Sequence, residues 1–114
     1  MKAAILEGQG VMTYKDVPTP IPGPGHVRLQ VRSVSICGSD IKRYVSGHRL
    51  YPLVLGHECA GIIDSVGQGT SEALIGQHAS VIPVVPCFRC EQCQRGYYSA
   101  CHNYSFIGSR QAGG

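Results

Sequence analysis

The feature that most constrains this chain is a group of four cysteines in the stretch VPCFRCEQCQRGYYSAC, spaced Cys87-x2-Cys90-x2-Cys93-x7-Cys101. Two successive C-x-x-C steps bring three sulfurs round one tight bend, and the fourth returns from a short loop. Four thiolates fit around one tetrahedral zinc ion at about 2.3 Å. Two cysteines three residues apart in a tight turn rarely reach the separation and torsion of a disulfide. We therefore favour a structural zinc lobe at about residues 85–107 over a disulfide pair or a redox site.

The length and composition of the chain are those of one globular domain over residues 1–114, with 43% hydrophobic and 15% charged residues. A domain of this size buries roughly two-thirds of its unfolded surface, so zinc would reinforce a hydrophobic core rather than replace it. Fifteen glycines and seven prolines favour turns and strands over helices. A net charge of +3 without a strong cluster is too weak to indicate a nucleic-acid partner.

No targeting or membrane-spanning segment is expected. The opening MKAAILEG reaches an acidic residue at Glu7, too early for the core of a signal peptide. The longest apolar run, ASVIPVVP, is interrupted by Pro83 and Pro86 and is far too short to cross a bilayer. We therefore expect a cytoplasmic protein with reduced thiols, which again favours metal binding over disulfides.

Hydrophobic alternation predicts a mainly β fold of about six strands with short helical pieces. KAAILEG and VMTYKDV are expected to form a hairpin, and HASVIPVV a further strand. HVRLQVRSVSIC predicts a half-buried strand with Val27, Leu29 and Val31 facing inward. GSDIKRYVSG predicts a helical turn or two that begins after a capping Ser or Asp and stops at Gly47.

A second group of metal-binding residue types lies before the cysteine cluster, in the motifs CGSD and GHEC. Cys37, His57 and Glu58 supply one thiolate, one imidazole and one carboxylate. Three protein ligands with one position left open are typical of a catalytic zinc. Adjacent residues on a regular strand face opposite ways, so His57 and Glu58 can share a metal only where the backbone bends. Gly56 would permit such a bend, and Asp40 could accept the second ring proton of His57.

Each of these residues also has a purely structural explanation. A cysteine at a strand end is usually a small buried hydrophobe, and the pair His-Glu before an apolar strand can act as a cap. Their occurrence together with a four-thiol cluster favours the metal site, although the spacing alone leaves both explanations open.

The ordered motifs CGSD, GHE and C-x2-C-x2-C-x7-C resemble those of the zinc-dependent medium-chain dehydrogenases, the family of alcohol, sorbitol and threonine dehydrogenases. The likeness runs along the whole chain, and the stretch PCFRCEQCQRGYYSAC with the FIGSR that follows looks most like the polyol dehydrogenases. The resemblance implies a GroES-like β-barrel with short helices and a zinc-binding lobe. It also implies an enzyme that oxidises a secondary hydroxyl of a sugar alcohol or sugar-alcohol phosphate by hydride transfer, and a full-length protein that is a homodimer or homotetramer.

The same resemblance assigns roles to individual residues. It implies that Cys37 and His57 bind a catalytic zinc and that Glu58 is a direct or intermittent ligand. Ser39 would pass the substrate proton outward, and Asp40 would lie behind the histidine. The four clustered cysteines would hold a second, structural zinc.

The chain departs from the family pattern at two places. Many members carry a histidine that continues the proton relay five residues after the catalytic cysteine, and this chain has Lys42. The relay would then end at Ser39 and solvent, or Lys42 would serve differently. GQHA replaces the usual GDRV or GDHV, and His78 within it is expected to be an exposed strand residue. Cys59 matches no ligand and is expected to be buried and inert.

A nicotinamide-binding site is not expected within these residues. GQGVM and GPGHV contain G-x-G but lack the third glycine and the following helix of a dinucleotide-binding turn. We therefore expect the chain to be the front portion of a longer dehydrogenase, with NAD or NADP bound by a further domain. Such a portion would be inactive alone.

Other functions remain open from the sequence. A zinc-ribbon-type binding or architectural β-barrel module would carry one zinc and no catalysis, whereas the dehydrogenase site predicts a second metal. A co-chaperonin-like structural protein and a zinc-free reductase need none of these motifs. Lys42, Arg43 and Arg49 are expected near the mouth of the pocket, either as an attraction for a phosphorylated polyol or as a solvated loop face.

Overall fold

A computed structural model describes all 114 residues, and its secondary structure is mainly β. The strands are β1 Lys2–Gly8, β2 Val11–Asp16, β3 Val27–Ser35, β4 Leu53–Val54, β5 Glu58–Val66, β6 His78–Ser80, β7 Val84–Val85 and β8 Ser105–Phe106. The helices are α1 Gly38–Ser46 and α2 Glu91–Gln94, with 3-10 turns at Glu72–Leu74 and Tyr98–Ala100. The structure has more strands than the six expected, because β4, β7 and β8 are only two residues long and so too short to show alternation in the sequence. No helix combines the length and the apolar character needed to cross a membrane.

Three antiparallel sheets organise the chain, with the strand orders β2-β1-β4, β3-β5-β6 and β7-β8. The hairpin predicted at the N-terminus is present as β1 and β2. In the second sheet, β3 pairs with β5 from Val27↔Val66 to Ser35↔Glu58. This long pairing joins segments that are far apart in the sequence. It brings the last residue of β3 and the first residue of β5 together at one end of the sheet.

The hydrophobic core is small and centred on β1. Ala3, Ile5 and Leu6 are buried together with Leu53 of β4 and Ile63 of β5, and only Leu6 has no exposed surface. Ala3 and Ile5 follow the alternation of a strand, whereas Leu6, next to Ile5, is buried as well.

The inward face of β3 differs from the prediction. Val27 and Val31 are 42% and 40% exposed, and Val34 is 44% exposed. Alternation identifies a common face but not whether another layer covers it. Here the face of β3 borders an open cavity of about 1190 Å³, which is also lined by residues of β1, β2 and α1.

Two further expectations need correction. The helix after β3 is nine residues long, and its N-cap is Cys37 rather than Ser or Asp. The carboxylate of Asp40 accepts a hydrogen bond from the backbone N–H of Cys37 at 3.1 Å, so Asp40 caps the helix from its third position. HASVIPVV is not one strand but β6 and β7, which belong to different sheets. Pro83 lies between them and lacks the N–H that a continuous ladder needs.

Candidate metal centres

The four clustered cysteines come together as the spacing predicted. Their sulfur atoms all lie within 4.8 Å of one another. The Sγ atom of Cys90 is 3.6 Å from that of Cys93 and 3.9 Å from that of Cys101. Two thiolates on one tetrahedral zinc at about 2.3 Å are about 3.8 Å apart, so this spacing fits a zinc ion. All six cysteines of the chain are free thiols.

The local backbone explains how so short a segment gathers four sulfurs. Strands β7 and β8 pair with each other, so the excursion starts and ends at one place. Cys90 is the N-cap of α2, and the first turn of that helix contains Cys93. The preceding turn is closed by Phe88, whose φ of +56° is in the left-handed region. Sequence reasoning missed Phe88, because this backbone region normally favours glycine or asparagine.

The thiols of the cluster have different acidities in the metal-free chain. Backbone N–H groups of Cys93 and His102 stabilise the thiolate of Cys90 and lower its pKa to about 6. Burial raises the pKa of the Cys93 thiol to about 12. Binding of a metal therefore has to remove a proton from Cys93 that the protein alone retains at neutral pH.

The second donor set, which consists of Cys37, His57 and Glu58, is assembled by the pairing of β3 with β5. Ser35 at the end of β3 lies opposite Glu58 at the start of β5, and Cys37 follows two residues after Ser35. His57 directly precedes β5, and Gly56 before it has a φ of +97°. The bend predicted at Gly56 is therefore confirmed. The ligand atoms of Cys37, His57 and Glu58 all lie within 4.8 Å of one another.

The surroundings of His57 fit a metal ligand. Its ring is buried and lies 5.4 Å from the ring of Phe106, centroid to centroid. Its Nδ1 atom is 3.3 Å from Oδ1 of Asp40, but the angle is not that of a hydrogen bond, and Nδ1 is a buried atom without a hydrogen-bond partner. Such atoms are uncommon. The carboxylate of Asp40 lies beside Nδ1, as is typical of metal-binding histidines, so Nε2 is the ring nitrogen left for a metal.

Arg43 is the residue beside the site whose side-chain contacts sequence reasoning missed. It was expected near the mouth of the pocket, either to attract a phosphate or as part of a solvated face, but its side chain on α1 is only 18% exposed. Its Nη1 atom donates to Oγ of Ser39 at 2.9 Å and to Oδ1 of Asp40 at 3.2 Å. The signal was present in the sequence, since residues three and four apart on a helix share a face.

The remaining candidates lie apart from this network. Lys42 and Arg49 are exposed, and neither side chain makes a hydrogen bond or an ion pair within the chain. His78 is exposed on β6, as predicted. Cys59 is buried, also as predicted, and burial raises the pKa of its thiol.

The mainly β fold and the order of the two donor sets agree with the resemblance to the zinc-dependent medium-chain dehydrogenases, and the comparison with known families identifies the class. The chain belongs to the alcohol dehydrogenase GroES-like domain family, whose model matches residues 23–114. The family resemblance and the GroES-like fold inferred from the motifs are therefore confirmed.

Individual relatives narrow this class. The chain is 39% identical over 116 aligned residues to galactitol 1-phosphate 5-dehydrogenase of Escherichia coli (strain K12), covering 100% of this chain and 34% of that protein. It is similar to the short chain alcohol dehydrogenase of Escherichia coli CFT073 complexed with NADH, with TM-score 0.95, 37% identity, and coverage of 100% and 34%. It is also similar to a putative zinc-binding dehydrogenase of Sinorhizobium meliloti 1021 bound to NADP, with TM-score 0.88, 33% identity, and coverage of 99% and 33%. The chain thus spans about a third of the length of these relatives.

Proposed function

We propose that residues 1–114 form the N-terminal catalytic-domain portion of a zinc-dependent NAD(P) polyol dehydrogenase, with a structural zinc lobe at about residues 85–107. The observation that carries the proposal is the convergence of Cys37, His57 and Glu58 within 4.8 Å at one edge of a sheet. A binding module organised by one zinc has no use for this second donor set. The family match and the NADH and NADP bound by similar structures support the same conclusion.

In this proposal Cys37, His57 and Glu58 hold the catalytic zinc, and the four clustered cysteines hold the structural zinc. When bound, the catalytic zinc supplies the Lewis acidity that makes a substrate hydroxyl more acidic, and the nicotinamide supplies the hydride acceptor. Glu58 is exposed whereas His57 is buried, so Glu58 is the ligand with freedom to move away when substrate arrives.

In this proposal Ser39 transfers a proton, and Asp40 orients the ring of His57. The hydroxyl of Ser39 follows Cys37 by two residues at the start of α1 and can pass a proton from the substrate towards solvent. Asp40 faces Nδ1 of His57 and so favours the tautomer whose Nε2 is free for a metal. Lys42 stands where many relatives continue the relay with a histidine. It is exposed, so the relay ends at Ser39 and solvent or Lys42 serves differently.

We infer that the substrate is a sugar alcohol or a sugar-alcohol phosphate, as the similarity to galactitol 1-phosphate 5-dehydrogenase suggests. Of the three cations first considered for phosphate binding, only Lys42 and Arg49 are free to attract an anion, because Arg43 is paired. Comparing turnover of a sugar-alcohol phosphate with that of the unphosphorylated alcohol in the full-length protein tests this. Equal kcat/KM for the two would reject a phosphate preference.

The proposal extends to the setting of the protein. All six cysteines are free, which suits the reducing cytoplasm. The net charge of +3 gives no support for a nucleic-acid partner. We further propose that the full-length protein is a homodimer or homotetramer that binds NAD or NADP outside these residues.

Metal counting tests the proposed site directly. The chain purified with zinc is expected to contain two zinc ions, and Cys37→Ser is expected to reduce the content to one. Cys59→Ala is the matched control, because Cys59 belongs to neither donor set, and it should keep both ions. A single zinc that does not depend on Cys37, found in the full-length protein, would instead support the zinc-ribbon type of module.

A further inference from the structure

Arg43 connects the two polar residues that lie beside the candidate catalytic metal site. It is one helical turn after Ser39 and Asp40, so all three side chains share a face of α1. A single nitrogen, Nη1, donates to Oγ of Ser39 at 2.9 Å and to Oδ1 of Asp40 at 3.2 Å. The guanidinium is therefore directed into the site rather than into solvent, and 18% of the side chain is exposed.

The carboxylate of Asp40, which Arg43 contacts, lies between the start of α1 and the residue that precedes β5. Its Oδ2 atom accepts from the backbone N–H of Cys37 at 3.1 Å, and its Oδ1 atom is 3.3 Å from Nδ1 of His57. The side chain of Asp40 is 7% exposed. A carboxylate buried this deeply is costly unless a cation pairs with it, and Arg43 is the cation that does so.

We propose that Arg43 is a positioning residue that holds Ser39 and Asp40 in place around the metal site. This inference rests on the proposed function, because it assumes that Cys37 and His57 bind the metal. By restraining Asp40, Arg43 sets where the helix start that carries Cys37 lies relative to the ring of His57. Arg43 makes its hydrogen bonds to Ser39 and Asp40 and none to Cys37 or His57, so we attribute its effect to the carboxylate that lies next to both.

Arg43 also determines the direction in which a proton leaves Ser39. Its guanidinium has only hydrogen-bond donors and no acceptor. One lone pair of the Ser39 oxygen is used by Nη1. A proton passed through Ser39 therefore leaves on the side away from Arg43.

Cobalt(II) titration of the 114-residue chain tests the inference without any turnover assay. The absorption from a cobalt–thiolate bond at the site is defined as the part that disappears in Cys37→Ser. Arg43→Met is expected to weaken this Cys37-dependent binding about tenfold, the lower end of the effect of removing an outer partner of a metal ligand. Arg32→Met is the matched control, since Arg32 is exposed on β3, and it should bind cobalt like the unchanged chain.

Two further variants separate positioning from packing. Arg43→Lys restores a cation beside Asp40 and should recover most of the lost affinity, which a residue needed only for its bulk would not show. The double variant Asp40→Asn/Arg43→Met leaves no unpaired buried carboxylate, so it keeps the measurement possible if Arg43→Met does not fold. It should still bind cobalt at least about tenfold more weakly than the unchanged chain.

The outcomes distinguish the inference from the function on which it rests. Absence of Cys37-dependent cobalt binding in the unchanged chain would reject the metal site itself, and the proposed function with it. Normal cobalt affinity in Arg43→Met, or in the double variant, would reject the role of Arg43 alone. Failure of Arg43→Lys to improve on Arg43→Met would also overturn the positioning role.

Discussion

Replacing Gly56 with alanine tests the bend that brings the second donor set together. Gly56 has a φ of +97°, in the region that costs an L-residue about 1–2 kcal/mol. The added Cβ would lie 2.7 Å from the carbonyl oxygen of Gly114 and 2.9 Å from Cγ2 of Val34. Overpacking of this kind costs about 1–3 kcal/mol. We therefore expect Gly56→Ala to lower the free energy of unfolding by about 2–5 kcal/mol.

Urea unfolding of the zinc-loaded chain measures this difference, and zinc content measures its effect on the site. Gly69→Ala is the matched control, because Gly69 has a φ of +80° but nothing within 4 Å of an added Cβ. It should lose only the conformational part, about 1–2 kcal/mol, and keep both zinc ions. Gly56→Ala should keep the zinc of the cysteine cluster and lose the zinc that depends on Cys37. Equal stability loss in the two variants, with both ions retained, would refute the reasoning.

Three other outcomes are expected. Cys90→Ser should remove one zinc and make residues 85–107 sensitive to limited proteolysis, because a serine hydroxyl does not replace a thiolate ligand; unchanged zinc content would contradict the lobe. In the metal-free chain, the pKa of about 6 for Cys90 and of about 12 for Cys93 means that the Cys90 thiolate forms as pH rises through 6. Iodoacetamide at pH 7 should then alkylate Cys90 before Cys93, and mass spectrometry giving the reverse order would overturn the assignment. The 114-residue chain alone should produce no NADH or NADPH from a polyol, because it contains no G-x-G-x-x-G turn followed by a helix; zinc-dependent production would contradict this.

Sequence reasoning predicted features that depend on neighbouring residues better than features that depend on pairing between distant segments. The strands β1 and β2 and the general β character were predicted because alternation is a local property. The same rule identified the apolar face of β3 but gave no information on what covers it, and Val31 is exposed. HASVIPVV was mistaken for one strand, because its two halves pair with partners from different parts of the chain.

At the candidate sites, the sequence likewise predicted the metal-binding residues but not the contacts around them. Motif spacing identified both donor sets, and the structure brings each of them together within 4.8 Å. The pairing of Arg43 with Asp40 was not predicted, because composition shows only that a cation is nearby and not which carboxylate it pairs with. The left-handed Phe88 gave no signal at all, since the closure of the cysteine turn imposes its backbone conformation.

By itself, the sequence determined the four-cysteine cluster, because all its ligands lie within a stretch of fifteen residues and local turns are enough to gather them. The second donor set depends on tertiary structure, because twenty residues separate Cys37 from His57. Only the register of β3 against β5, with Ser35 opposite Glu58, places these side chains at one edge of the sheet. A shift of one residue would turn every side chain of the strand to the other face, so long-range pairing decides whether this site exists.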